Sequence, residues 1–357
     1  MKTNLENKYK DKTPEETILN IKNFFSNKGF VVEEKVIKNP VPNIWWCRIN
    51  LKYNGKEIQG ANGKGTTKLF ALASGHAELY ERFCNLQNPI FSSALNMRKF
   101  YELNYKKNGY CLYPDEVFLS AEEAINISPR IINFCNSIND NRNSVLRYFQ
   151  LNDENKVLSL PFQGFNSNSI ITLPIELMWM ITGSSGSAAG NTLEEALVQG
   201  CSELCEHYVE NMIYNEKRNF KKIDLDKINF NPKIKDYFKR LKENNYSYSL
   251  FDFSFLYNVP VIGLYIIDLK KKVAFLNLGS SPIFEIALER CCTEIYQGHE
   301  ILGDNLKNTM TSVKEVPINE LLADCPNITF IEAYPDNFLL NVETIDNFNT
   351  KIFKEAK

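Results

Sequence analysis

Three short stretches of this chain set acidic, amide and basic side chains at helical spacing. Gly75-His76-Ala77-Glu78-Leu79-Tyr80-Glu81-Arg82-Phe83 is echoed by Gly200-Cys201-Ser202-Glu203-Leu204-Cys205-Glu206-His207-Tyr208, and a looser copy runs from Arg290 to Gly298. Residues three and four apart share one helix face. Ser74, Glu78 and Glu81 therefore form one stripe, Glu195, Gln199, Glu203 and Glu206 a second, and Arg290, Glu294 and Gln297 a third. Small residues beside them (Ala71, Ala73, Gly75, Ala77, Gly200, Ser202) would let another group approach the helix backbone closely. Two carboxylates roughly 6 Å apart repel by about 3 kcal/mol at an effective dielectric near 20. Stripes that meet therefore demand bound cations, shared protons or basic partners. Taken singly, each Glu-x-x-Glu reads as a solvated helix face; three copies beside small residues favour a common site.

Gly60–Thr67 and Gly183–Gly190 read as Gly-rich turns that open the first two acidic helices. A helix N-terminus behind glycine favours a phosphate, and Lys64 would add a point charge. Neither common nucleotide fingerprint is present: Lys64 is followed by Gly65 rather than Ser or Thr, and no GxGxxG occurs. Thr192 and Glu195 also spell a capping box, which competes with a site role for Glu195. Arg82 and Arg290 could equally pair with surface carboxylates at little value. Together, Lys64, the arginines and the carboxylates have the elements of a nucleotide–Mg2+ site. His76, His207 and His299 offer no catalytic triad, and His76 falls on an apolar helix side as a packing residue. Cys205 and His207 point to different helix faces and make a poor zinc pair. An acid-pair hydrolase remains open in principle, although five acids on three helices exceed its need.

These residues resemble the YcaO family. Gly63-Lys64-Gly65 through Ser74, Glu78, Glu81 and Arg82 is similar to its first motif, and Ser185 to Thr192 through Glu195, Glu203 and Glu206 to its second. Ala287-Leu288 through Arg290, Glu294 and Gln297 is similar to its third. The resemblance implies an enzyme that uses ATP and Mg2+ to phosphorylate a peptide backbone amide oxygen. Attack by a Cys, Ser or Thr side chain would then give an azoline, sulfide a thioamide and an amine an amidine. It further implies that Glu78, Glu81, Glu203, Glu206 and Glu294 hold Mg2+. Lys64, Ser74, Arg82, Asn191, Glu195, Arg290 and Gln297 would contact ATP, with Glu81, Glu206 and Arg290 acting on the reaction itself. Two departures stand out. His207 replaces the arginine that usually follows the second Glu-x-x-Glu, which predicts a weaker or pH-dependent charge there. The last residues, Phe353-Lys354-Glu355-Ala356-Lys357, lack the proline-rich tail of azoline-forming members, which shifts the expectation towards thioamide chemistry. The implied partners are a peptide substrate and a leader-peptide-binding protein of the TfuA-like or E1-like kind, and a homodimer is compatible. A non-catalytic ATP-binding scaffold for a partner enzyme is the alternative.

The elements that must position these residues can be read in part. Thr13 as N-cap, Pro14, Glu16 and Gly29 delimit a first helix. Phe30–Val36 and Ile44–Tyr53 read as strands, with Asn54-Gly55 as a hairpin turn. Acidic helices are expected to about Cys84, over Thr192 to about Tyr214, and over Pro282 to about Leu302. Asn139–Asn143 reads as a loop. Lys217–Asn245 reads as a basic helix-loop surface or a docking face for an acidic peptide. Tyr246–Phe253, Pro260–Asp268 and Val273–Gly279 read as strands. The expectation is an α+β fold: a single YcaO-like domain of mixed sheets and helices with a pseudo-duplicated core and the ATP site between acidic helices. Residues 1–59 would supply an N-terminal helix and strands, and 60–357 the catalytic domain, as one continuous compact unit. The duplication is inferred from the likeness of the first two acidic helices.

Bulk properties exclude other classes. A net charge of −2 over 357 residues gives no electrostatic grip on nucleic acid. No apolar run approaches bilayer length, so no membrane partner is expected and the chain reads as cytoplasmic. The nine cysteines are odd in number and lack CxxC spacing, as in reduced proteins.

Overall fold

The computed structural model describes residues 10–39, 41, 43–84, 115–126, 156–164, 167, 169–174, 184–215, 220–225, 232–254, 259–268, 273–294 and 342–345. They fall in two compact units, one made of Met1–Arg82 with Ser185–Lys357 and the other of Phe83–Ser184.

The first unit opens with α1, Pro14–Ser26, which begins where its sequence signals. The Glu16 N–H donates to Thr13 Oγ1 at 3.3 Å and the Thr13 N–H to Glu16 Oε2 at 2.8 Å, a complete capping box. Gly29 leaves the helix at φ +78. Strands β1 (Val31–Lys38), β2 (Trp45–Tyr53) and β3 (Lys56–Gly65) form an antiparallel sheet in that order. Asn54 at φ +48 and Gly55 at φ +75 turn β2 into β3 with the left-handed pair that matches strand twist.

The expected Gly-rich turn at Gly60–Thr67 is instead strand. Gly60–Gly65 is the second half of β3, paired with β2 as far as Trp45, and only Thr66 and Thr67 lead into α2, Lys68–Cys84. The glycines here permit close packing. A Cβ on Gly63 would overlap the Ala71 carbonyl oxygen and the Gly75 nitrogen, so β3 and α2 meet backbone to backbone. The Phe70 N–H donates to Thr67 Oγ1 at 3.2 Å and caps the helix.

The second unit holds β4 (Val117–Ser120), α3 (Ala121–Asn126), β5 (Lys156–Gln163) and β6 (Ile170–Pro174), with the strands in an antiparallel sheet of order β4-β5-β6. It carries none of the candidate residues.

The first unit resumes with α4 (Leu193–Asn215), β7 (Phe220–Ile223), α5 (Pro232–Glu243), β8 (Tyr246–Asp252), β9 (Val261–Asp268), β10 (Val273–Ser280), α6 (Phe284–Thr293) and β11 (Val342–Ile345). Their sheet has the order β10-β9-β8-β7-β11, antiparallel except for β11 beside β7. Strand β7 lies inside the stretch expected to be only helix and loop. Both faces of this sheet are covered, which accounts for the nearly unbroken apolar run of β9. Ile234, Phe238 and Leu241 of α5 and Ala287, Leu288 and Cys291 of α6 pack with Leu250, Leu264 and Ile266. Val209 and Ile213 of α4 pack with Phe251, Phe253, Leu276 and Leu278. Each fully buried side chain of this kind contributes about 1.5–3 kcal/mol.

The order α1-β1-β2-β3-α2 recurs as α5-β8-β9-β10-α6. The close approach recurs too, since a Cβ on Gly279 of β10 would overlap the Ala287 carbonyl of α6. The core is therefore pseudo-duplicated, but α2 corresponds to α6. The sequence likeness had matched α2 to α4, which instead covers the other face of the second sheet. No described helix is long and apolar enough to cross a membrane. The described cysteines are free thiols. The expected loop at 139–143, and the third acidic helix from residue 295 onward including Gln297, lie outside the described residues.

Candidate nucleotide and metal site

Lys64 sits near the end of β3, where the tight β3–α2 packing fixes its backbone. Its N–H donates to Ser74 Oγ at 3.4 Å, and its Nζ forms an ion pair with Glu294 at the C-cap of α6. On α2, Arg82 pairs with Glu78 one turn earlier. The neighbouring Glu81 lies near the backbone N–H of Ala189, in the loop before α4, which favours its charged form.

On the facing helix α4, Glu206 Oε1 accepts the Ser280 N–H at 2.7 Å and Arg290 Nη1 at 3.3 Å. The other arm of Arg290 donates to Gln199 Oε1. Arg290 of α6 thus ties two members of the α4 stripe together. Glu203 is paired with His207 at 3.6 Å.

The stripes converge. Burial pushes the Glu81 carboxyl up to about 8, and the charges of Glu203 and Glu78 add to the effect. Burial likewise raises Glu78, against Arg82 and Lys64, and raises Glu206, against Arg290, the Ser280 N–H and Lys64. Lys64 is pushed down by burial while Glu206 and Glu78 pull it back up. Carboxylates from α2 and α4 therefore sense one another and the same lysine. Of the remedies that crowding demands, two are visible: proton uptake at Glu81 and cationic partners at Lys64, Arg82 and Arg290.

His207 does not weaken the charge in the way the loss of arginine suggests. Contacts with Glu203 and Glu210 push it up to about 10, so the ring is cationic at neutral pH. His76 is fully buried behind α2 and bonded through Nε2 to Glu34 Oε1 at 2.6 Å. It is a packing residue and takes no part in the site.

Glu195 is buried, and it makes only half of its capping box. Its N–H donates to Thr192 Oγ1 at 3.3 Å, but its carboxylate turns to the N–H and Nδ2 of Asn191, at 2.8 and 3.0 Å. Its other oxygen, Oε1, accepts the Asp11 N–H at 2.5 Å, while Lys10 Nζ stands 3.9 Å from Oε2. Thr17 of α1 donates to Asn191 Oδ1 at 2.9 Å, and Thr192 to Asp11 Oδ2 at 2.6 Å. The segment from Lys10 to Thr17 is thus part of this corner, a connection across more than 170 residues that no local sequence pattern signals. Lys10 also feels the charge of Arg290, which links the corner to the rest of the cluster.

Lys64, Ser74, Glu78, Glu81, Arg82, Asn191, Glu195, Glu203, Glu206, Arg290 and Glu294 all belong to the same compact unit. Among the described residues, no three His, Cys, Asp or Glu side chains close on one point as a ready-made metal cage. The carboxylates are turned onto the cations and N–H groups beside them. The donor set nevertheless suits Mg2+: it is all oxygen, as a hard cation prefers. A carboxyl held at about 8 is also one from which a cation displaces a proton.

Known proteins resemble this chain over most of its length. The sequence profile of a family described as a YcaO cyclodehydratase, binding ATP and Mg2+, matches residues 62–338. The chain is 30% identical over 296 residues to the Escherichia coli ribosomal protein S12 methylthiotransferase accessory factor YcaO, covering 81% of this chain and 49% of that protein. It is 28% identical over 308 residues to an uncharacterised Haemophilus influenzae protein, covering 82% and 49%. The chain thus spans about half the length of these curated relatives. Among solved structures, a heterocyclase in complex with substrate and cofactor matches at TM-score 0.56 and 19% identity, over 97% of this chain and 48% of that one. YcaO from Methanopyrus kandleri bound with AMPPCP and Mg2+ matches at TM-score 0.52 and 14% identity, over 97% and 82%. With a family profile spanning most of its length and laid over the three converging helices, this chain belongs to the YcaO family of ATP- and Mg2+-binding proteins.

Proposed function

We propose that this chain uses ATP and Mg2+ to activate a backbone amide of a ribosomally made peptide for attack by a nucleophile, giving an azoline or a thioamide. The observation that carries this reading is the convergence of carboxylates from α2 and α4 on Lys64, with Arg290 and Glu294 of α6 closing the third side. Phosphoryl transfer asks mainly for positioning and charge stabilisation, and such a cluster is suited to both. Bound ATP supplies the phosphoryl group for the amide oxygen, and Mg2+ offsets the charge that develops.

In this reading Glu78, Glu81, Glu203, Glu206 and Glu294 are the metal-facing carboxylates. Lys64, Ser74, Arg82, Arg290 and Gln297 hold the phosphates, while Asn191 and Glu195, backed by Lys10 and Thr17, hold the nucleotide from the far side. Glu81, Glu206 and Arg290 would act on the reaction itself. The test is Mg2+-dependent ATP turnover with and without a peptide encoded beside this chain, followed by mass spectrometry of the peptide. We expect turnover that rises with peptide, together with loss of water or exchange of oxygen for sulfur. Turnover left intact by Glu78→Ala or Glu203→Ala would sink the metal assignment.

A second reading has its own support: the Escherichia coli relative is named an accessory factor. A scaffold that binds ATP to assist a partner enzyme would bind Mg2+–ATP tightly without any peptide-stimulated turnover. An acid-pair hydrolase would ignore ATP altogether.

A further inference from the structure

One histidine of α4, His207, is held in a way that the site described above does not explain. Glu203, His207 and Glu210 follow one another at i, i+4 and i+7 along α4 and so share a face. His207 Nδ1 stands 3.1 Å from Glu210 Oε2, and Nε2 stands 3.6 Å from Glu203 Oε1. Glu210 is only 6% exposed and neighbours Val209, which is fully buried in the core against the second sheet. Burial restrains that carboxylate, and its 3.1 Å contact with Nδ1 sets the plane of the ring. The opposite nitrogen then faces one oxygen of Glu203 across 3.6 Å, an ion-pair contact rather than a hydrogen bond. Carboxylates that face a metal are commonly held in place by outer groups that contact them from behind.

We propose that His207, braced by Glu210, is a positioning residue that orients the Glu203 carboxylate towards Mg2+. It occupies Oε1 so that the second oxygen serves the site. This inference rests on the reading of Glu203 as a metal-facing carboxylate. An arginine at the same place would reach Glu203 with a longer, forked side chain and would not need Glu210. The brace is thus the compensation that makes a shorter cation work, and Glu210 should matter only while His207 is present.

The experiment measures the Mg2+ concentration that half-saturates binding of a fluorescent, non-hydrolysable ATP analogue to the full chain, with melting temperature recorded alongside. His207→Ala should raise that concentration about 10-fold, and Glu210→Gln several-fold, in the range typical of groups that orient metal ligands. The double variant should be no worse than His207→Ala, because the two act as one unit. His207→Arg should restore half-saturation to within about threefold of the parent, and adding Glu210→Gln to His207→Arg should then change little. Affinity for the analogue without Mg2+ should stay within twofold throughout. A purely structural role would lower the melting temperature and leave half-saturation unmoved, which overturns the proposal. If Glu203→Gln raises half-saturation while His207→Ala and Glu210→Gln do not, the brace is wrong and the metal reading stands. If Glu203→Gln itself has no effect, both fall together. Glu210→Gln keeps the size and packing of the buried side chain, so a result remains even if His207→Ala folds poorly.

Discussion

The two repeats of the first unit share a frame and reverse its charge. In α1-β1-β2-β3-α2 the last helix brings two carboxylates, Glu78 and Glu81, into the cluster. In α5-β8-β9-β10-α6 the matching helix brings a cation, Arg290, with Glu294 at its end. The contacts then cross over: Lys64 from the first repeat meets Glu294 of the second, while Arg290 pins Glu206 and Gln199 of α4. The glycine approach between strand and helix is the same in both. Backbone geometry therefore fixes where the helices stand, and a few side chains decide which sign of charge each one delivers. The second repeat supplies a cation pinned to two acceptors of α4, whereas in the first Glu78 leans on Arg82 and Lys64 and Glu81 on proton uptake.

Mutations should expose that asymmetry. The largest effect is expected at Arg290, because Glu206 and Gln199 both lose their shared donor. Arg290→Ala should lower Mg2+-dependent ATP turnover by about 10²–10³-fold, the cost of one preorganised charge-stabilising donor. It should also lower stability by about 1–3 kcal/mol in urea unfolding, since the half-buried Glu206 and Gln199 lose their shared donor. Turnover within a few-fold of the parent would show that the second repeat does not anchor the charge.

Glu81→Gln should behave in the opposite way for stability. The folded chain holds the Glu81 carboxyl at about 8 against an ordinary value of 4.5. It therefore keeps a proton that the unfolded chain releases, and stability falls as pH rises from about 4.5 to about 8. Replacing the group by its neutral isostere removes that fall. Without Mg2+, the variant should melt several degrees higher than the parent at pH 8 and about equally at pH 4.5, while losing Mg2+-dependent turnover. Equal melting at both pH values would mean that the first repeat is as well neutralised as the second.

The extent to which this arrangement could be read in the sequence follows the same division. The ends of α1, the β2–β3 turn and strands β8 to β10 rest on local signals: a capping box, Asn-Gly, and apolar runs. The stripes on α2 and α4 were equally legible, because helical spacing depends only on neighbours along the chain. What the sequence hid was long-range. Gly63 looked like part of a phosphate turn because a glycine that permits close packing and one that permits a left-handed turn are the same letter. Lys10 and Thr17 carry no local signal because their partners, Glu195 and Asn191, lie far along the chain. The duplication was matched to the wrong helix because α2 resembles α4 in sequence but α6 in surroundings.

The shared frame itself can be tested at its glycines. A methyl group on Gly63 would strike the Ala71 carbonyl, and one on Gly279 the Ala287 carbonyl, so backbone must yield in both cases. Gly63→Ala and Gly279→Ala should each cost about 1–3 kcal/mol in urea unfolding. Costs that differ by much more than that range would argue that the two repeats pack their helices differently.

The smallest effect concerns the turn that joins each repeat's first helix to its first strand. Gly29 fills the left-handed position after α1 at φ +78, and Asn245 fills the equivalent position after α5 at φ +66. Glycine adopts this conformation freely, and asparagine is the next most tolerant residue. The second repeat therefore tolerates a little strain that the first avoids. Asn245→Gly should gain a few tenths of a kcal/mol by relieving it, an effect partly offset by the greater freedom of glycine in the unfolded chain. Gly29→Asn should lose a comparable amount, and Gly29→Ala about 1–2 kcal/mol. If Gly29→Asn proved as costly as Gly29→Ala, the two turns would not be equivalent, and the correspondence of α1 with α5 would have to rest on the sheets alone.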